Sequence, residues 1–380
     1  MLHTQSRTPF GEDHAQFRES VRRFLAINFA PNIDRWEAEG AVDRTFWKQA
    51  GDAGFLCPQV EERFGGLGLD FRYNAVINEE LSYAGCTDNL TLQSDITLGY
   101  IARYANDAQK SKWLPLMVAG EVITAIAMTE PGAGSDLQGI TTTAIRDGDD
   151  YVINGSKTYI TNGQNADLVI VVAKTQPNLG AKGTSLILVE ADRPGFSRGR
   201  NLDKIGQHSS DTSELFFEDL RVPVTNILGE ENRGFIYLVS ELPQERLSIS
   251  ISAQAAAQRA FDEAVAFTKD RSAFGKKVFD FQNTKFQLAK MAAKLQIGWA
   301  HLDWAINRHV AGELTAQEAA ASKLWHTETQ WEILDTALQL HGGAGYMNEY
   351  LIAKLWRDGR VRRIYGGSSE IMMDMVSRGL

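Results

Sequence analysis

Glycine-rich segments are the first features of this sequence whose residue types suit chemistry. They are TEPGAGSD at 129–136 and HGGAGYM at 341–347, and closely spaced glycines can let a backbone approach a phosphate. Neither segment has the G-x-G-x-x-G spacing of a dinucleotide-binding loop, and the chain contains no G-x-x-x-x-G-K-[ST] loop. Taken locally, both segments are interpreted as turns.

One carboxylate is notable for its neighbours. Glu245 lies in ELPQERL, directly before Arg246 and two residues after Pro243. Proline is favoured at the start of a helix, and the positive end of the helix dipole stabilises an acidic residue there. The local pattern therefore predicts a first-turn glutamate. Residue physics alone assigns it no reaction.

The sequence gives little support for a metal site or for a catalytic cysteine or serine. The seven histidines never fall three or four residues apart, and no acidic ligand set accompanies them, so no metal site is predicted. No G-x-S-x-G nucleophile elbow occurs. Cys57 and Cys86 are the only cysteines, and both are interpreted as small buried hydrophobic residues.

Composition narrows the class of protein further. The net charge of −9 argues against nucleic acid as a ligand, because phosphate binding needs clustered Lys and Arg. The longest aliphatic run, at 168–173, is too short for a transmembrane segment, and the first residues lack an apolar signal core. We therefore expect a cytoplasmic, prokaryotic protein. A processed mitochondrial form remains the alternative.

Three segments with different residue patterns follow one another along the 380 residues. Helical spacing of apolar residues over 1–120 predicts an N-terminal α-helical domain. Short β-branched and aromatic runs over 121–229 predict a middle β-domain, with strands at 151–160, 167–174, 184–191 and 213–222. Long helical patterns over 230–380 predict an antiparallel bundle. The fold class expected is thus α+β and multi-domain.

Several motifs, in their order and spacing, are similar to those of the acyl-CoA dehydrogenase family. They are GLGLD (66–70), AMTEPGAGSD (127–136), NGSKTYITNG (154–163), DTSELFFEDLRVP (211–223), RSAFGKKVFDFQ (271–282), QLHGGAGYMNEY (339–350) and RRIYGGSSEIM (362–372). The likeness covers essentially the whole chain. LQSDITLGYIARY (92–104) and ELPQERL (241–247) resemble the long-chain branch most.

The resemblance implies a specific architecture and cofactor. It implies a helical domain, a β-barrel or sandwich domain and a C-terminal four-helix bundle. FAD would lie between the β-domain and the bundle. A homotetramer built as a dimer of dimers is also implied.

The resemblance also implies cofactor and substrate contacts for individual residues of this chain. Positions expected at the flavin are Met128, Thr129, Gly134, Ser135, Tyr159, Thr161, Ser368 and Glu370. Positions expected to reach FAD from a neighbouring subunit are Arg271, Phe274, Gln282, Gln339, Gly342 and Gly343. Substrate contacts are implied for Ser135, Arg246, Tyr365 and Gly367. Departures are Tyr159, where relatives have tryptophan, and Ser368 and Glu370, where they often have Thr and Gln.

The most informative departure is Gly366. Many members carry the catalytic glutamate there, whereas long-chain and isovaleryl relatives take the base from a bundle helix, at the position of Glu245. We expect the missing side chain at 366 to leave space for the Glu245 carboxylate. We also expect the backbone N–H of Gly366 to remain as a donor to the thioester oxygen.

The reaction implied is dehydrogenation of a fatty acyl-CoA to the trans-2-enoyl-CoA. Glu245 would remove the α-proton as the β-hydrogen leaves as hydride to flavin N5. Burial should raise the pKa of this base, and the helix N-terminus should oppose part of the rise. An electron-transfer flavoprotein would accept the electrons.

Two alternatives stay open. A flavin oxidase-type member would share the fold but reoxidise rapidly in air with release of peroxide. A non-catalytic assembly member would lack the base. The sequence leaves the acyl chain length and branching undetermined.

Overall fold

The computed structural model describes residues 7–86 and 89–380. The first six residues, which bear on the expectation about a signal segment, lie outside this part. The N-terminal unit is helical. Its helices are α1 Glu12–Asn28, α2 Ile33–Glu39, α3 Arg44–Asp52, α4 Phe71–Tyr83, the short α5 Asn89–Thr91, α6 Leu98–Tyr104 and α7 Asp107–Val118.

Aromatic residues form much of the core of this unit. Trp36, Phe46 and Trp47 are each 1% exposed and pack with residues of α1 and α4. Cys57 and Cys86 are buried, which confirms their interpretation as interior residues. Between α5 and α6 the chain forms a π-helix over Leu92–Thr97. Such a widened turn changes which side chains face the neighbouring elements.

The middle unit is a seven-stranded sheet. Its strands are β1 Thr124–Ala127, β2 Thr143–Asp147, β3 Asp150–Thr161, β4 Leu168–Lys174, β5 Thr184–Glu190, β6 Phe196–Asn201 and β7 Thr212–Pro223. The order is β1-β4-β2-β3-β7-β6, with β5 on β4. β4 runs parallel to β1 and β2, and every other pair is antiparallel.

Register shifts bend the two longest strands of the sheet. The pairing of β3 with β7 slips at 153/155 and again at 157/160, and such bulges increase local twist. Buried apolar residues occupy every position of β4 from Leu168 to Ala173. The four predicted strands are present, while β1, β2 and β6 were not predicted.

The C-terminal unit is built from long helices. They are α8 Gly234–Asp270, α9 Gln282–Val310, α10 Ala316–His341, α11 Leu351–Gly359 and α12 Ser369–Ser377, with a two-stranded ribbon of β8 Ser272–Ala273 and β9 Lys276–Lys277 after α8. α8 packs against α4, α9 and α10 and so joins the first unit to the last. The predicted order of helices, sheet and helices is confirmed. No helix in the described part of the chain is long and apolar enough to span a membrane.

Candidate active site

Glu245 lies well inside a helix. α8 begins at Gly234, so Glu245 is in its fourth turn, and Pro243 is accommodated within the helix. The prediction of a first-turn residue was wrong, because proline was taken as the helix start. The helix dipole acts mainly within the first turn, so it does not account for the electrostatics of this carboxylate.

The Glu245 carboxylate is nearly removed from solvent. Its residue is 5% exposed, and its Oε1 accepts a hydrogen bond of 2.8 Å from the hydroxyl of Tyr100, which is fully buried on α6. Burial raises the pKa of Glu245 to about 7, and Glu241 adds to the rise. The Tyr100 hydrogen bond and the charge of Arg246 oppose it. A carboxyl group in this state can accept a proton near neutral pH.

Two buried cations hold the loop that follows α11. Arg246 Nε donates to the carbonyl oxygen of Gly366 at 3.5 Å. Lys323 Nζ donates to the carbonyl oxygens of Gly367 at 2.7 Å and Arg362 at 3.0 Å. Arg246 and Lys323 are 3% and 0% exposed. Their contacts fix the backbone of this loop beside the helix turn that carries Glu245.

The loop backbone explains its two glycines. Gly366 and Gly367 have φ of +63° and +95°, values that L residues adopt only with strain. A Cβ at Gly366 would lie 2.4 Å from Ile249 Cδ1 and 3.4 Å from Lys323 Cε. The space next to Gly366 is therefore filled by Ile249, and the expectation that Glu245 occupies it was wrong.

The Gly366 N–H stays available as a donor. Among the described residues, no backbone carbonyl or side chain accepts a hydrogen bond from it. Beyond it, Ser368 is the N-cap of α12 and accepts from the Ile371 N–H at 3.5 Å, and Glu370 is exposed in the first turn. Tyr365 is partly buried next to Gly366.

A second buried polar cluster holds in place the segment that is expected to border the flavin. Lys157 Nζ donates to the Met128 carbonyl at 3.0 Å and to Glu130 Oε1 at 2.9 Å. The Thr158 N–H donates to the Thr129 carbonyl at 2.9 Å. These bonds fasten the segment after β1 to β3. Sequence reasoning missed Lys157 and Glu130, although a lysine inside the apolar strand motif YVINGSKTYI is a signal for a buried ion pair.

Other predicted flavin positions lie around this segment. Met128 packs against the core cluster that contains Tyr100, the hydrogen-bond partner of Glu245. Tyr159 follows Thr158 directly, has a φ of +59°, and is 70% exposed. Gly134 and Ser135 are exposed, and Thr161 ends β3. A phenol ring at Tyr159 is thus available as an aromatic surface.

The remaining predicted positions lie at the far end of α8. Arg271 is 26 residues beyond Glu245 on a chain that is helical to Asp270, which places it about 39 Å away at 1.5 Å per residue. Phe267 stacks on His341 at 4.4 Å and so brings the ends of α8 and α10 together. The members of this group are Arg271, Phe274, Gln282, Gln339, Gly342 and Gly343. All of them are exposed or partly exposed.

The residues in both groups fit FAD. Gly134, Gly342 and Gly343 have no atom within 4 Å of a built Cβ, so a cofactor could approach their backbone. Phe274 is 95% exposed. Within the described chain the Arg271 guanidinium forms no ion pair and no hydrogen bond, which leaves its planar fork for a pyrophosphate.

Three family descriptions cover nearly the whole chain. Acyl-CoA dehydrogenase, N-terminal domain, matches residues 11–121, the middle domain matches 125–220, and the C-terminal domain matches 232–380. Together with a buried carboxylate where α6 of the first unit meets α8 of the last, these matches define a class of flavoprotein oxidoreductase. The chain belongs to the acyl-CoA dehydrogenase family, whose members use FAD.

Individual relatives agree with this assignment. The chain is 46% identical over 375 residues to the mitochondrial long-chain specific acyl-CoA dehydrogenase of Mus musculus, covering 98% of this chain and 87% of the relative. An acyl-CoA dehydrogenase from Geobacillus kaustophilus has a TM-score of 0.97 at 48% identity, covering 98% and 99% of the two chains. A glutaryl-CoA dehydrogenase from Mycobacterium smegmatis in complex with FADH2 has a TM-score of 0.92 at 27% identity, covering 99% and 96%.

Proposed function

We propose that this protein dehydrogenates a fatty acyl-CoA to its trans-2-enoyl-CoA, with Glu245 as the base that removes the α-proton. The observation that carries the proposal is the buried Glu245 carboxylate beside the glycine loop, with a pKa of about 7. Likeness to a long-chain specific enzyme supports a fatty acyl substrate.

Removal of the α-proton needs more than a base. Because the α-carbon of a thioester is a weak acid, negative charge that develops on the thioester oxygen must be stabilised by fixed donors. The Gly366 N–H is such a donor. Arg246 and Lys323 hold the neighbouring carbonyls, so the donor is positioned before the substrate binds.

FAD, when bound, supplies the acceptor for the hydrogen that leaves the β-carbon. Met128, Thr129, Gly134, Ser135, Tyr159, Thr161, Ser368 and Glu370 would hold it within the chain. Ser135, Arg246, Tyr365 and Gly367 would contact the substrate. An electron-transfer flavoprotein is the proposed electron acceptor.

A neighbouring subunit is part of the proposal. The positions around Arg271 lie about 39 Å along α8 from Glu245, too far to serve a reaction at that carboxylate in the same chain. They would instead reach the FAD of another subunit in a homotetramer. A complete site would then lie across an interface between two chains.

The cofactor content and reactivity test the proposal as a whole. We expect the purified protein to contain about one FAD per chain and to lose its flavin absorbance when a saturated fatty acyl-CoA is added without air. The measurement is an anaerobic absorbance titration against a panel of acyl-CoA chain lengths, with the free acids as the control. A protein that neither holds FAD nor can be reconstituted with it would contradict the proposal.

The shared site predicts a link between assembly and cofactor retention. Arg271→Ala should weaken FAD binding by roughly tenfold or more, because a charge-assisted contact to the pyrophosphate is lost. Arg63→Ala, a surface arginine paired with Glu61, is the matched control and should bind FAD normally. FAD release measured by fluorescence during dilution should follow dissociation of the oligomer. A stable monomer with its full complement of FAD would rule out the shared site.

A further inference from the structure

Two helices form a ladder of tyrosine–glutamate pairs beside the active site. Tyr100 and Tyr104 are one turn apart on α6, and Glu241 and Glu245 are one turn apart on α8. The Tyr100 hydroxyl donates to Glu245 Oε1 at 2.8 Å, and the Tyr104 hydroxyl donates to Glu241 Oε1 at 2.8 Å. Residues four apart lie on the same face of a helix, so the two carboxylates are neighbours.

The close approach of the helices is built into the sequence. Gly99 is on α6 and faces α8, since a Cβ there would come within 2.9 Å of Glu241 Oε2. Glu241 is 4% exposed and Glu245 is 5% exposed. Two buried carboxylates at this spacing repel each other when both are ionised. Such an arrangement is unfavourable for stability and therefore calls for an explanation in function.

The two carboxylates differ in their other partners. Arg103 Nη1 donates to Glu241 Oε1 at 2.9 Å, and the Arg103 side chain is 60% exposed, so this ion pair reaches the solvent. Glu245 forms no ion pair of this kind among the described residues, and its neighbours are Tyr100 and Arg246. Burial raises the pKa of Glu241, and Tyr104 and Arg103 oppose the rise. Glu241 is thus the carboxylate with an ion-pair partner that reaches the solvent, and Glu245 is the one without such a pair.

Other charged groups pack around the same helix turn. Lys323 on α10 lies close to Arg246 and holds the glycine loop. Asp95 in the π-helix accepts from Ser248 at 2.7 Å, and its carbonyl accepts from Gln244 at 2.6 Å. These groups contact the residues that flank Glu245. Only the Tyr100 hydroxyl donates directly to its carboxylate in the described structure.

We propose that Tyr100 and Glu241 are positioning residues that set the protonation of Glu245 from opposite directions. Tyr100 orients the carboxylate and stabilises its charged form, whereas Glu241 places a second negative charge one turn away and favours the protonated form. This inference rests on the proposed function of Glu245 as the base. It adds two residues that act through Glu245 and do not touch the substrate themselves.

The proposal is testable because the two variants should shift the pH profile of kcat/KM in opposite directions. The base must be deprotonated to act, so kcat/KM falls on the acid side of the pKa of Glu245 in the free enzyme. Tyr100→Phe removes a donor to the charged form and should move this acid limb to higher pH. Glu241→Gln removes a like charge but keeps the shape and an acceptor for Arg103 and Tyr104, so it should move the limb to lower pH. Each shift should be on the order of one pH unit, about tenfold in kcat/KM at a fixed pH on the limb.

The experiment is the pH profile of kcat/KM for the FAD-loaded enzyme. Tyr83→Phe is the matched control, since its hydroxyl bonds Asp262 away from the site, and Glu263→Gln is the control for charge removal on α8. Neither should move the limb. Titration of the acyl-CoA itself is common to all variants and cancels. Thermal unfolding and FAD content establish that each variant is folded.

A lower rate with an unshifted limb would show a merely structural role and would overturn the inference. If Tyr100→Phe does not fold, the downward shift in Glu241→Gln decides, and its absence is equally fatal. Glu245→Gln in the same series separates the two proposals. If Glu245→Gln loses turnover while Tyr100→Phe and Glu241→Gln leave the acid limb unshifted, this inference alone is overturned. Near-normal turnover of Glu245→Gln overturns both proposals.

Discussion

Replacing Glu245 with glutamine is expected to lower acyl-CoA turnover by roughly 10²–10⁴-fold, the usual contribution of a general base. Glutamine keeps the size of the side chain and an oxygen that can accept from Tyr100, but it cannot take up a proton. FAD and acyl-CoA should still bind. Steady-state kcat and KM, together with a binding titration, would check this result.

Stability provides the control for this variant. Burial raises the pKa of Glu245 to about 7, so the charged form is disfavoured in the folded state compared with the unfolded chain. At pH 8 the neutral glutamine should therefore leave the unfolding temperature unchanged or raise it. A variant that loses activity together with a large drop in unfolding temperature would point to misfolding instead of loss of the base.

Moving the base to the glycine loop should restore activity only when space is made for it. In Glu245→Gly with Gly366→Glu, the new Cβ would lie 2.4 Å from Ile249 Cδ1, on a backbone with a φ of +63°. Positive φ at a residue other than glycine costs about 1–2 kcal/mol. We expect this double variant to stay below about 1% of normal turnover, since a displacement of about 1 Å can cost 10²-fold.

Shortening Ile249 is the complementary change. Adding Ile249→Ala to the double variant should raise turnover by at least about tenfold, because the side chain at 366 then has room. Glu245→Gly with Ile249→Ala, which carries no carboxylate at either position, is the control and should remain inactive. Equal turnover in the double and triple variants would show that Ile249 does not limit access to the position beside Gly366.

Much of the architecture could be predicted because its signals are local. The β-branched runs that became β3, β4, β5 and β7 are bounded by turn residues, and their faces are buried by the sheet itself. β1, β2 and β6 are short or largely exposed, so their composition carries little signal. The start of α8 was missed because Pro243 is a helix-start signal that tertiary packing overrides here.

The same distinction between local sequence signals and tertiary packing applies to the active site. Gly366 could be proposed because it departs from a recognisable motif, and Glu245 because it matches the position of the base in long-chain relatives. The contacts of Tyr100, Glu241 and Lys323 depend on how α6, α8 and α10 pack, and sequence gives no distance between helices. The i, i+4 spacing in both LGYIARY and ELPQE is the only hint of the ladder in the sequence. The space beside Gly366 was misjudged for the same reason, since Ile249 reaches it from α8.

The rate of flavin reduction in a single anaerobic turnover tests the central claim most directly. This rate reports removal of the α-proton, because a single turnover does not include the later steps of product release and reoxidation. Glu245→Gln should slow this reduction by at least about 10²-fold at saturating acyl-CoA, while Glu263→Gln, on the same helix, should match the unmodified enzyme. Reduction in Glu245→Gln within tenfold of the unmodified rate would mean that another group removes the proton.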